Sequence, residues 1–122
     1  MKKLFLLLFS MAVVQITYAQ EKPEEEKDQS FILIYSPGEL WDSSKSPSEQ
    51  QYFAEHSALL RDLRNKERIT IGGRYSDKGL IILKSKDETE AKEIAESDVS
   101  VQNKLFKVEI FLLNAFYKGC ID

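Results

Sequence analysis

The chain has one cysteine and one histidine in 122 residues. A lone cysteine, Cys120, cannot close an internal disulfide; it either has no role or bridges two molecules. The fold must then be held by its own core, helped by association with another copy. With no cluster of histidine and cysteine, a zinc site of the usual kind is excluded on ligand count. Glycine is scarce, at 5 residues, and no Walker, Rossmann or nucleophile-elbow pattern is present. The pair Gly72-Gly73 alone does not make a phosphate loop. Positive charge is not in excess either: 17 Lys and Arg stand against 20 Asp and Glu, a formal net charge of −3. Binding to nucleic acid or to an anionic membrane surface is thereby disfavoured, because both need clustered cations.

Long apolar runs are also missing, except at the start. Met1-Lys2-Lys3 is a positive n-region. Leu4 to Phe9, extended by Met11 to Val14, is an apolar h-region, and Thr17-Tyr18-Ala19 is a small-x-small cleavage pattern. The run is interrupted by Ser10 and Gln15 and falls short of the ~20 apolar residues of a membrane span. Residues 1–19 therefore read as a signal peptide cleaved near Ala19. The mature chain has 103 residues, enough for one domain with a modest core. Loss of two lysines takes the formal charge from −3 to −5. Export, to the periplasm or the medium, with no membrane attachment after cleavage, is the expected localisation. Residues 20–29 are densely charged with nothing to bury, and read as a disordered acidic leader.

From residue 30 to 117 the patterning is that of a packed domain; residues 118–122 are a C-terminal tail. Phe31 to Tyr35 is an apolar, β-branched and aromatic run, ended by Ser36-Pro37-Gly38, and reads as a buried strand. A polar loop follows, holding Trp41. Ser46-Pro47-Ser48-Glu49 is a helix start with capping-box spacing and proline at the first helical position. This predicts a helix from Ser46 to about Asn65, with Tyr52, His56, Leu59, Leu60 and Leu63 along one face. Arg68 to Gly73 and Leu80 to Leu83 read as a hairpin around a turn at Tyr75 to Gly79. Asp87-Glu88-Thr89-Glu90 opens a second helix, with Ala91, Ile94 and Ala95 as a narrow apolar stripe. After a short stretch at Asp98 to Lys104, Lys107 to Phe116 is a last strand. Val108, Ile110 and Leu112 lie on one of its faces, Phe111 and Leu113 on the other.

The order β-α-β-β-α-β predicts an α+β, ferredoxin-like fold: a four-stranded antiparallel sheet with two helices on one face. The last strand is apolar on both sides. One side takes the helices. The other needs a cover, most economically a second copy packed sheet to sheet, so a homodimer is expected.

His56 is the one side chain that titrates near neutrality unaided. On the apolar stripe it is either a core-edge histidine or the centre of a site. Tyr35, Trp41 and Tyr52 could line a pocket between the sheet and the first helix, Tyr35 and Tyr52 being equally explicable as core-edge aromatics. Arg74 could hold an anion at a strand end or be a solvated charge, and Ser76, in the turn, is a nearby hydroxyl.

Several of these features occur together in one family. The elements are a first strand ending in Pro37-Gly38 with Trp41, Gln50-Gln51 ahead of His56, and Leu60 and Leu63 at +4 and +7 from it. They continue with Gly72-Gly73, a turn, Gly79-Leu80-Ile81-Ile82, Glu88-Thr89-Glu90-Ala91, and Asp98 where that family has Asp-Pro. In this order and spacing the domain resembles the YCII-related family, of dimeric α+β barrel type. Val99, Arg74 and Glu67 depart from its usual pattern. The resemblance implies that His56 pairs with Asp98 as the active site. A carboxylate on one imidazole nitrogen fixes the tautomer and raises the basicity of the other. Such a pair suits isomerisation, elimination or proton abstraction beside a carbonyl, without a cofactor and with no metal, on an unknown small molecule. An equally simple role for Asp98 is a cap or turn residue. The alternative to an enzyme is a non-catalytic dimeric module that binds a small ligand or assembles.

Overall fold

A computed structural model describes residues 27–119. The signal-peptide reading, most of the acidic leader and Cys120 lie outside them. Eight elements follow one another: β1 (Gln29–Pro37), a 3-10 turn (Pro47–Glu49), α1 (Phe53–Asn65), β2 (Ile69–Tyr75), β3 (Lys78–Ser85), α2 (Glu88–Glu96), α3 (Val99–Gln102) and β4 (Phe106–Leu113). The four strands form one antiparallel sheet in the order β2-β3-β1-β4. The architecture is α+β and compatible with a ferredoxin-like arrangement. Among the described residues no helix is long and apolar enough to cross a membrane.

Alternation along the strands decides what each face meets. Phe31, Leu33 and Tyr35 are buried and recur at period two, so they share one side of β1. Ile81 and Leu83 of β3 stand opposite Leu33 and Phe31. With them cluster Leu63 of α1 and Ala91 and Ala95 of α2, so both helices cover this face. The two alanines are fully buried, and their small side chains let α2 lie close against the sheet. Arg68 at the end of the α1–β2 loop makes an ion pair with Glu90 and donates to the Lys84 carbonyl at 2.9 Å. This ties α2 to the hairpin.

The opposite face is lined by Ile32, Ile34, Ile71, Leu80, Ile82 and Phe111, brought side by side by the strand registers, with Glu109 beside Ile34 and with Lys84 and Lys107 toward its two ends. Phe111 is half exposed.

Three sequence expectations are corrected. β1 begins at Gln29, paired with Ser85, so the leader read to Gln29 gives its last residue to the strand. β4 ends at Leu113 and starts at Phe106, opposite Pro37. The helix expected from Ser46 is broken: the 3-10 turn ends at Gln50 in extended conformation, and α1 begins only after Tyr52, whose φ is 66°. Gln50 is the cause. Its buried amide accepts from Asp42 N (3.0 Å) and donates to the carbonyls of Asp42 (2.6 Å) and Lys45 (3.2 Å). A continuous helix could not turn that side chain into the loop. Of the capping box, Glu49 Oε2 does accept from Ser46 N, at 3.0 Å.

Gly38 closes the other side of the same loop. Its amide donates to the Leu105 carbonyl at 2.7 Å, and a Cβ there would run into the Lys104 carbonyl. The chain leaving β1 therefore lies directly against the α3–β4 connection, where only glycine fits.

Candidate active site

His56 stands one turn into α1, on the face turned toward the sheet, and is 7% exposed. Its ring is boxed by aromatic side chains. Tyr35 meets it edge-on at 4.8 Å between centroids, Phe106 lies tilted at 4.8 Å, and Phe53 at 6.1 Å. Trp41, held by the Gln50-braced loop, packs on Phe106 at 5.6 Å. These contacts restrict the plane of the imidazole.

The polar partner is Asp98. His56 Nδ1 and Asp98 Oδ2 are 2.5 Å apart. Asp98 is the N-cap of α3, and its other oxygen, Oδ1, accepts from Ser100 N (2.9 Å) and Ser100 Oγ (2.6 Å). Burial works to raise the Asp98 carboxyl. The hydrogen bonds from His56 and Ser100, with the attraction of His56, outweigh it and hold the group below the usual carboxylate range. Asp98 is thus an anion at neutral pH and can only accept. His56 Nδ1 must therefore carry the hydrogen, and Nε2 carries the lone pair. Nε2 bonds to none of the described residues, yet among them no buried side-chain nitrogen or oxygen lacks a partner. Nε2 is therefore reached by solvent.

It opens on a cavity of about 370 Å³ lined by Tyr35, Trp41, Phe53, His56, Arg74 and Phe106, among others. Ser76, Asp77 and Lys78 form the rim at the β2–β3 turn. That turn is tight: Tyr75 pairs with Lys78, leaving Ser76 and Asp77 as its two central residues, with Ser76 at a φ of 52°. The Tyr35 hydroxyl makes no hydrogen bond to the described residues and is not sealed off either. Burial, and then the negative charge of Asp98, push its pKa well above the ordinary value. It therefore stays protonated and available as a donor.

Of the residues the sequence suggested, Tyr35, Trp41, His56, Arg74 and Ser76 line this one cavity, and Asp98 lies behind the imidazole. Tyr52 does not line it. The left-handed backbone at the start of α1 takes Tyr52 off the helical stripe, and Phe53 occupies the place expected for it. Phe106 and Lys78 were missed as well. Phe106 continues the period-two series Val108, Ile110 back by one step, which is a signal the sequence does hold.

No protein-family model matches this chain, and neither a curated protein nor a solved structure does.

Proposed function

We propose that this chain is an exported YCII-related, ferredoxin-like domain protein. In this reading it catalyses a cofactor-free proton transfer, of isomerase or lyase type, on a small molecule. The observation that carries the reading is the orientation of His56. Asp98 holds Nδ1–H at 2.5 Å while Nε2 opens on the cavity. A base so held can take a proton from a carbon beside a carbonyl and return it elsewhere, while the Tyr35 hydroxyl donates to the oxygen on which charge develops. Asp98 acts through the imidazole and is a positioning residue.

The apolar outer face of the sheet supports a homodimer packed face to face. Sedimentation should then give twice the monomer mass, and Ile82→Lys should give monomers. A monomeric wild type would refute this part.

Solvent-exchange NMR tests the chemistry. In D₂O, with a panel of enolisable ketones and keto acids, the protein should wash out an α-proton, and His56→Gln should not. Washout that is equal in both proteins, or absent across the panel, would count against catalysis. A second reading, a non-catalytic ligand-binding module, is favoured by one observation: Asp98 already has a structural task as the cap of α3. Ligand binding without washout would select it.

A further inference from the structure

The strand registers place three residues in one row across the sheet. Tyr35 of β1 stands opposite Gly79 of β3, and Gly79 stands opposite Arg74 of β2. Directly paired residues share a face, so all three look toward α1. Gly79 has no side chain, and it makes the floor of the cavity between the tyrosine and the arginine, two strand spacings or about 10 Å apart. Its backbone does not require glycine: no glycine has positive φ, and a Cβ at 79 would meet only Tyr35 Cβ, at 3.9 Å.

The charges around this floor are unequal. Lys78 is paired with Asp77 at 3.2 Å. Asp98 is behind the imidazole and bound to it. Arg74 has no ion pair among the described residues. One cation without a counter-charge therefore stands at one end of the cavity. Trp41, Phe53 and Phe106 form an apolar wall at the other, and His56 Nε2 lies in the same space.

We infer that the cavity takes a small organic carboxylate, with its anionic end on the Arg74 guanidinium and its apolar body over Gly79 against the aromatic wall. A planar guanidinium matches a carboxylate with two parallel hydrogen bonds. A single free arginine balances one negative charge, whereas a phosphate dianion would leave charge over. The size of the cavity, near the small end of ligand sites, limits the body to a ring or a short chain. The inference rests on the acid/base reading only in placing the body beside Nε2; it concerns binding and stands or falls by binding.

Trp41 is the only tryptophan, so its fluorescence reports this cavity alone. The probes are cyclohexanecarboxylate, cyclohexanecarboxamide and inorganic phosphate at low ionic strength. The carboxylate should bind at least tenfold more tightly than the amide. Arg74→Gln should abolish that preference, and Lys78→Gln should retain most of it. Gly79→Val should block both organic probes while the protein keeps its melting temperature within a few degrees. The inference is overturned by an amide that binds as well as the acid, by an Arg74→Gln protein that still prefers the acid, by phosphate outcompeting the carboxylate, or by no response to any probe. Intact carboxylate preference with no proton washout would overturn the catalytic reading and leave this one standing.

Discussion

Replacing Asp98 with asparagine tests the arrangement at the level of single hydrogens. The Ser100 amide can only donate, so it holds the oxygen of the introduced carboxamide where Asp98 Oδ1 now sits, at 2.9 Å. The carboxamide NH₂ must then face His56 Nδ1. Two donors cannot share that contact, so the imidazole switches tautomer: Nδ1 becomes the acceptor and Nε2 takes the hydrogen. The lone pair in the cavity is lost although its position is unchanged, and the proton transfer proposed above should fall by about 10²–10⁴-fold. A charge-assisted bond to a buried carboxylate contributes roughly 1.5–3 kcal/mol. For a domain of this size that is a fall in Tm of roughly 8–16 °C. Asp98→Ala should cost more, about 3–5 kcal/mol, since it also strands the Ser100 donors and removes the cap. The pH dependence has a definite sign. Asp98 is held below the usual range in the fold, whereas the unfolded chain protonates it near pH ~4. Its stabilisation is complete above that pH and is lost as pH falls through the lower folded value. Asp98→Asn should show less of this acid loss than wild type, the remainder coming from Asp42 and Asp77, which are also held below their ordinary value. With a single histidine, ¹⁵N NMR reads the tautomer without assignment ambiguity. An Asp98→Asn protein that keeps the hydrogen on Nδ1 and melts with wild type would refute the reasoning.

Two further substitutions probe the surroundings. Tyr35 is held protonated above its ordinary value, whereas the unfolded chain ionises it near pH ~10. Its contribution to stability is therefore complete below that pH and declines as pH rises beyond it. Urea midpoints between pH ~9 and ~11 should fall for wild type and stay flatter for Tyr35→Phe; equal slopes would contradict the buried hydroxyl. Gly38→Ala should push the β1 exit off the Lys104 carbonyl, at a cost of about 1–3 kcal/mol. An unchanged melting temperature would show that the loop has room to move.

The sequence carried whatever is periodic and local. The i, i+3, i+4, i+7 spacing of His56, Leu59, Leu60 and Leu63 showed which way α1 faces, and alternation showed the strands and the apolar outer face. Asp87 caps α2 as its spacing implied, accepting from Glu90 N at 2.8 Å. What was not legible depends on contacts between distant segments. The break before α1 exists because Gln50 reaches back to Asp42 and Lys45, which no local preference announces. The bond between His56 and Asp98 spans 42 residues and has no periodic trace. It was approached through a family resemblance. The cavity floor at Gly79 was missed because a glycine in a strand reads as a weak spot until its neighbours across the sheet are known.

The two tasks of Asp98 are separable by oxygen. A cap needs one acceptor, and Oδ1 meets that need through Ser100. Oδ2 is not required for the helix, and it is the oxygen aimed at His56. A histidine that served only to fill the core would be expected to bond both nitrogens within the protein, because a buried unpaired nitrogen is costly. Here one nitrogen is fixed by an anion and the other is left to a cavity that Tyr35 and Arg74 also line, Arg74 having no ion pair among the described residues. An asymmetric histidine of this kind is the arrangement that proton transfer needs and that packing alone does not call for.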